Sequence, residues 1–395
     1  MRIEALANPK LITWARRMAG LDVTEAARKA GVKPQRLESW EAGERRPTIT
    51  QLRKLSDIYK RPLALFFLEK PPPDDATPSD FRRFDPQAAE PLSPALRLAI
   101  RDARARRDAA IELFEELDEE PPQFKLSANL RDDPETVGQH LRNVLAGGAT
   151  PPGGDPRFVF NFWRARAENA GVLVFQAEDV DVEEMRGFSV SERPLPAVVL
   201  NIKDAPAARS FSLFHELTHV MLNRGGLCVF EEHEPQTDFH RTEVFCNHVA
   251  GAALLPATSL LREPEVPARR VAEIPDQDVY KLASRYGASS EAVLRRLVIL
   301  NRIPLTFYQR KREEYAREYQ RRREKPGEKR SKGGPPPHRI AVATAGPLFT
   351  RLVLEAYDEE RITASDVAQY LRVRLKHLER IRAAVERRLP VGERS

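Results

Sequence analysis

The strongest chemical signal in the sequence is a five-residue stretch, His215-Glu216-Leu217-Thr218-His219. In a helix the two histidines lie one turn apart on one face, so both imidazoles can bind one metal ion. Glu216 lies beside that face, where its carboxylate can hold a water molecule and take its proton. Imidazole ligands and an open coordination position favour Zn²⁺, which lowers the pKa of a bound water to about 7, and Mn²⁺ stays open as an alternative.

The residues before this stretch predict the elements that position it. The apolar run 196–201 predicts a short strand, and we expect residues 197–201 to be an edge strand that holds an extended substrate by strand addition. Asp204 is the expected N-cap of the following helix and Pro206 an early helical residue. Apolar residues then recur on one face of that helix, which predicts burial on one side. The competing interpretation is a core helix whose two histidines are merely hydrogen-bonded.

Two histidines are too few for a catalytic zinc site, which usually has three protein ligands. Glu243 opens a second apolar helix in the pattern, and Asn247 follows one turn later, where it can orient the Glu243 carboxylate. A ligand on a helix is favoured over one in the loop 231–240, although His233 and His240 stay open. A fourth protein ligand, Cys228 or Cys246, would instead indicate a structural zinc site.

Composition and charge limit the class of protein. No run of 18 apolar residues occurs, so no membrane span is expected. Two cysteines argue against a disulfide scaffold, and with no signal-peptide pattern at the N-terminus a reducing cytoplasm is the expected compartment. Residues 1–70 carry 15 Lys and Arg against 8 Asp and Glu, and residues 310–332 carry 11 against 5. Such basic segments can attract phosphate backbones, or they can be solvated surface.

The first 70 residues have a helical pattern with recognisable helix boundaries. Thr24 is the expected N-cap of a helix that Gly31 ends, Pro34 starts the next helix, and Thr50 starts a further one. Two short helices joined by a turn that contains glycine predict a helix-turn-helix, whose second helix would enter the major groove of DNA.

The rest of the chain divides by composition. We expect a proline-rich linker and a long helix over 71–157, then an α+β domain over 158–309 with strands at 171–175 and 187–190. A basic helix and linker follow over 310–337, and a helical unit with Ser365 as an N-cap candidate spans 338–395. The predicted fold class is therefore multidomain: an all-α helix-turn-helix domain, an α+β zincin-like domain and an α-helical C-terminal region.

The stretch TEAARKAGVKPQRLESWEAGERRPTITQLRKLSDIY resembles the helix-turn-helix of XRE/Cro-type regulators. The resemblance implies double-stranded DNA as a partner and leaves a homodimer open. It implies three base-facing candidates, Gln35, Arg36 and Ser39. Charge and position add the phosphate-facing candidates Arg28, Lys29, Lys33, Arg45 and Arg46. The alternative is a helix-turn-helix that contacts only protein.

The stretch GFSVSERPLPAVVLNIKDAPAARSFSLFHELTHVMLNRGGLC, followed by EVFCNHVAGAALLPA, resembles the ImmA/IrrE metallopeptidases over about residues 158–260. The resemblance implies His215, His219 and Glu243 as zinc ligands, Glu216 as general base, and Asn247 as the asparagine of the family's E-x-x-x-N helix. Cys246 departs from the pattern and lies near the metal, so a ligand or redox role is open beside that of an inert buried thiol.

The same resemblance implies a function. It implies a zinc endopeptidase that cleaves a regulatory protein, a helix-turn-helix repressor, in a stress or mobile-element response. Two alternatives remain from the residues alone. One is a DNA-binding transcriptional regulator whose peptidase domain is inactive or senses metal, and the other is a repressor with a structural zinc.

Overall fold

The computed structural model of the protein describes residues 4–72, 92–223, 226–228, 238–324 and 335–386. The chain forms two compact units, Met1–Asp102 and Ala103–Ser395. The predicted order of an all-α domain, an α+β domain and C-terminal helices is confirmed.

The first unit is a small helical bundle around one apolar core. Its helices are α1 (Pro9–Met18), α2 (Val23–Ala30), α3 (Pro34–Glu41) and α4 (Ile49–Tyr59), followed by a 3₁₀ turn at Leu63–Phe67 and the start of α5 (Pro94–Glu116). Leu37 and Trp40 of α3 are buried in this core, as their helical spacing predicts. Helix α3 is therefore anchored by one face and exposes the other.

Two helix starts in this unit differ from the sequence prediction. The N-cap of α2 is Asp22, whose carboxylate accepts a hydrogen bond from the Glu25 amide, rather than Thr24. Helix α4 begins with a capping box formed by Thr48 and Gln51, rather than at Thr50. In both cases the capping residue lies two residues earlier, because its side chain must reach the free amide of the third helical residue.

The second unit combines a four-stranded sheet with helices. The strands are β1 (Leu173–Ala177), β2 (Gly187–Val190), β3 (Ala197–Asn201) and β4 (Gly226–Cys228). The helices are α6 (Pro134–Ala146), α7 (Pro156–Asn169), α8 (Pro206–Met221), α9 (Asp238–Leu254), α10 (Ala257–Leu260), α11 (Asp276–Tyr286), α12 (Ser290–Ile299), α13 (Leu305–Glu324), α14 (Pro337–Ala345), α15 (Pro347–Asp358), α16 (Ala364–Leu371) and α17 (Leu378–Glu386).

The order of the strands corrects one expectation. The sheet runs β1-β3-β2-β4, with β3 parallel to β1 and antiparallel to β2. Strand β3 is therefore internal, and the expectation that residues 197–201 are a substrate-binding edge strand is wrong. All five of its residues are buried, as is typical of a central strand covered on both faces.

Helix α8 lies in the centre of this unit. It packs against α7, α9 and the strands β2 and β3. Trp163 of α7 meets Phe214 of α8 edge to face, with the ring centroids 4.9 Å apart. Helix α6 in turn covers α9 closely, because a Cβ atom at Gly138 would lie 2.6 Å from the Ala252 Cβ. Helix α8 thus packs between the sheet and the helices α7 and α9, and α9 packs between α8 and α6.

Three further helix starts in this unit differ from the prediction. Helix α8 has Ala205 as its N-cap, and the Asp204 carboxylate accepts a hydrogen bond from the Ala205 amide instead of capping the helix. Helix α9 begins at Asp238, so Glu243 lies in its second turn rather than opening it. Thr363, and not Ser365, caps α16 in a capping box with Asp366. Pro206 is in the first turn of α8, as predicted.

The C-terminal helices α14 and α15 contact α7 and β1 through buried polar groups. The guanidinium of Arg164 and the side-chain amide of Gln176 both donate to the Ala343 carbonyl at the end of α14, at 2.8 and 2.9 Å. The Glu168 carboxylate accepts from the Leu348 amide in the first turn of α15 at 3.1 Å. Arg164 and Glu168 therefore satisfy opposite ends of two successive helices, a cation at a C-terminus and an anion at an N-terminus.

No single helix within the described residues has the length and apolar composition needed to cross a membrane. Helices α14 and α15 meet that test only when taken together, and they are bent by 105° relative to each other.

Candidate metal centre

Three side chains of α8 and α9 converge on one point. The Nε2 atoms of His215 and His219 are 3.1 Å apart. The Glu243 carboxylate oxygens lie 3.3 Å from the Nε2 atom of His215 and 3.2 Å from that of His219. Both imidazoles are fully buried, and Glu243 is 9% exposed. The structure therefore brings together the three residues that the sequence predicts as metal ligands.

The separation of these donor atoms fits a divalent ion. Donors about 2.1 Å from one ion in a tetrahedral arrangement lie about 3.4 Å from one another. The observed 3.1–3.3 Å is close to that value. Two imidazoles and a carboxylate are also the donor set of many catalytic zinc sites, which keep a further position open. The residues present thus fit a zinc ion.

The charge of Glu243 suits a ligand. Burial by itself raises the pKa of its carboxyl group, but the electrostatic attraction and hydrogen bonding of His215 and His219 outweigh burial and lower the pKa well below its usual range. Glu243 is therefore an anion at neutral pH. An anion beside two imidazoles attracts a cation to the point where all three converge.

Asn247 supports the site through a histidine. Its Oδ1 atom lies 3.1 Å from the Nδ1 atom of His215. When Nδ1–H donates to this oxygen, the proton is held on Nδ1 and the Nε2 lone pair is free to bind metal. The sequence predicts a role for Asn247 at the Glu243 carboxylate, whereas this contact is with His215. The one-turn spacing places Asn247 on the metal-facing side of α9 in either case.

Glu216 is buried beside the ligands. It is 1% exposed and lies next to β2, where a Cβ atom at Gly187 would be 2.9 Å from its Oε1 atom. Burial raises the pKa of its carboxyl group, and the nearby His219 and His215 act in the opposite direction. A carboxylate that is costly to keep charged is a better proton acceptor than an exposed one, which is what a general base requires.

The sequence leaves four further residues open as metal ligands: Cys228, His233, His240 and Cys246. Cys246 is buried with its thiol beside His219, and burial raises the pKa of that thiol, so it is uncharged at neutral pH. His240 does not belong to the convergent group within the described part of the chain. His233 and the side chain of Cys228 lie outside the described residues. The convergence of His215, His219 and Glu243 agrees with a three-ligand site.

The predicted DNA-contacting residues lie on the surface of the first unit. Gln35 and Arg36 are exposed in the first turn of α3, while Ser39 is half-buried and donates to the Arg36 carbonyl at 2.8 Å. The five phosphate-facing candidates are exposed: Arg28, Lys29, Lys33, Arg45 and Arg46. The structure thus leaves the N-terminal end of α3 accessible between basic residues.

Comparison with known protein families agrees with both units. The family model of the IrrE N-terminal-like domain matches residues 167–298, and a helix-turn-helix model matches residues 12–66. The chain joins a helix-turn-helix domain to an IrrE-like peptidase domain. This architecture is that of a DNA-binding regulator with a domain from a metal-dependent peptidase family. No curated protein matches the chain.

Two residues beside Glu216 are absent from the sequence prediction. Gly187 and Ser189 both meet the Glu216 side chain from β2. Their spacing of two residues in a strand puts them on one face. The alternation can be seen in the sequence, but no local sequence signal shows that this face of β2 packs against α8.

Proposed function

We propose that this protein is a zinc-dependent endopeptidase that cleaves a regulatory protein. The observation that carries the proposal is the convergence of His215, His219 and Glu243 with Glu216 buried beside them. Two imidazoles and one carboxylate hold a divalent ion and leave it a position for solvent or substrate. An adjacent carboxylate with a raised pKa can act as the general base that hydrolysis of a peptide bond needs.

Each residue has one role in this mechanism. His215, His219 and Glu243 hold the ion, and Asn247 keeps His215 in the tautomer that can bind it. A bound zinc ion supplies Lewis-acid polarisation of the scissile carbonyl and a lowered pKa of water. Glu216 accepts the proton of the attacking water and then donates it to the leaving amine. Its two carboxylate oxygens allow it to do both without moving away from the ligands.

The substrate class follows from the architecture. A peptidase domain joined to a helix-turn-helix domain is well suited to a substrate that is itself bound to DNA, and we propose a helix-turn-helix repressor, released in a stress or mobile-element response. Binding of enzyme and substrate to the same DNA would raise their effective concentration. We place this activity in the cytoplasm, where the buried thiol of Cys246 stays reduced.

The decisive experiment combines metal analysis with cleavage. The purified protein is loaded with Zn²⁺, its metal content is measured, and it is incubated with purified helix-turn-helix repressors of the XRE/Cro type. We expect about one zinc per chain in the wild type and in Glu216→Gln, and cleavage by the wild type alone. Equal cleavage by both forms would refute the role of Glu216.

A second function is favoured by one observation. The metal ligands and Glu216 are almost completely buried in this structure, which suits a metal-sensing regulator as well as an enzyme. In that case the protein binds a defined promoter, and DNA affinity changes with Zn²⁺. A wild type that cuts none of the repressors but shows such zinc-dependent DNA binding would support the regulator.

A further inference from the structure

One face of β2 lies directly against Glu216. Gly187 and Ser189 alternate with Phe188 along the strand, so their side-chain positions share a face. A Cβ atom at Gly187 would lie 2.9 Å from the Oε1 atom of Glu216 and 3.1 Å from its Cγ atom. The hydroxyl of Ser189, on the same face, acts to lower the pKa of the same carboxyl group against the effect of burial. Two consecutive positions on this face therefore meet the proposed general base.

The absence of a side chain at Gly187 leaves room for the Glu216 carboxylate. Residue 187 belongs to a regular strand and pairs with Leu200 of β3. Contacts of 2.9–3.1 Å to a Cβ atom are too short for an unstrained methyl group. An alanine here would push the Glu216 side chain away from β2. The missing side chain at residue 187 thus sets how closely the carboxylate approaches the strand.

The polar group on this face of β2 is the Ser189 hydroxyl. Ser189 is fully buried and Glu216 is 1% exposed. Among the described residues, the Ser189 hydroxyl and both Glu216 carboxylate oxygens are buried without a hydrogen-bond partner. A buried hydroxyl and a buried carboxylate are both costly to leave unpaired, so a small rotation that pairs these two groups is favoured. A hydroxyl donating to one carboxylate oxygen fixes the plane of the carboxylate and leaves the other oxygen free.

We propose that Ser189 is a positioning residue that orients the Glu216 carboxylate by donating to one of its oxygens, while Gly187 supplies the space for it. The second oxygen is then directed to accept a proton from the attacking water. Ser189 does not touch the substrate and does not bind the ion. The proposal rests on the function proposed above, since it assigns Glu216 the role of base.

The test compares three single variants of the full chain. Ser189→Ala removes the hydroxyl without adding volume, and Gly187→Ala adds the methyl group that the carboxylate excludes. Ser191→Ala is the matched control, because the Ser191 hydroxyl is also buried and lies two residues farther along, beyond the end of β2. Zinc content and thermal unfolding are measured for each variant, so that loss of fold or of metal is detected separately.

The first readout does not depend on activity. In protein labelled with ¹³C-glutamate, the carboxylate stretching band of Glu216 is identified by subtracting the infrared spectrum of Glu216→Gln. We expect this band to shift in Ser189→Ala and Gly187→Ala and to stay in place in Ser191→Ala. An unchanged band in Ser189→Ala would overturn the proposal.

The second readout is hydrolysis of fluorescein-labelled casein by the zinc-loaded protein. We expect Ser189→Ala to lower kcat about 10- to 100-fold with KM nearly unchanged, as loss of one hydrogen bond to a charged group predicts. A loss that appears only in KM would contradict a positioning role. If the wild type cleaves neither casein nor a repressor, the proposed function fails, whereas the infrared band still decides whether Ser189 orients Glu216.

Discussion

Replacing Asn247 tests whether its contact with His215 controls metal binding. The Asn247 Oδ1 atom is 3.1 Å from the Nδ1 atom of His215, and His215 is fully buried, so solvent cannot replace the lost acceptor. Asn247→Leu removes a hydrogen bond worth about 1 kcal/mol and allows the proton to move to Nε2, where it blocks the metal. Together these effects predict zinc binding weaker by about 10- to 100-fold, or roughly 1.4–2.7 kcal/mol.

The assay is a competition for Zn²⁺ between the protein and a fluorescent chelator. Asn247→Asp keeps an acceptor oxygen and should bind zinc within a few-fold of the wild type. His248→Gln is the control on the same helix, because the His248 imidazole contacts Glu135 at 2.7 Å rather than the ligands. Zinc affinity within twofold of the wild type in Asn247→Leu would refute the reasoning. An equal loss in His248→Gln would show that α9 as a whole was disturbed.

Three further predictions concern stability and DNA binding. Arg296 forms hydrogen bonds to Glu135 that lower the pKa of its carboxyl group, although burial acts in the opposite direction. The charged pair therefore stabilises the fold at neutral pH. This contribution is lost as the pH falls through the lowered pKa of Glu135. Arg296→Met should therefore lower the free energy of unfolding by about 2 kcal/mol at pH 7 and less near pH 3, measured by urea titration; an equal loss at both pH values would contradict this. Thr48→Ala should destabilise α4 by about 1 kcal/mol, seen as faster amide hydrogen exchange confined to the first unit. Arg45→Ala should weaken binding to every duplex and reduce the salt slope by about 1, whereas Gln35→Ala should mainly relax sequence preference; fluorescence anisotropy with selected and random duplexes separates the two.

The pairing of His215 and His219 could be predicted from the sequence because the information is local. A spacing of four residues in a helix puts His215 and His219 on one face whatever surrounds them. Local signals also place helix boundaries, as Pro206 and Gly31 show. The errors at Thr24 and Thr50 are small, since several residues near each helix start could act as the cap and only the backbone conformation selects one.

The arrangement of the strands could not be predicted in the same way. Residues 197–201 have the composition of a buried strand, but whether that strand is central or at an edge depends on partners distant in sequence. Pairing of β3 with both β1 and β2 is a long-range outcome. The same holds for the C-terminal helices, whose contact with Arg164 and Glu168 joins residues about 180 positions apart.

The sequence by itself determined which residues could bind a metal ion and which helix faces are apolar, because both depend on spacing within one helix. Only the tertiary structure decided that Glu243 converges with the two histidines, that Asn247 contacts His215, and that the face of β2 with Gly187 and Ser189 lies against Glu216. These contacts arise between elements. A helical or strand period defines a face, but the packing of the whole unit decides what that face touches.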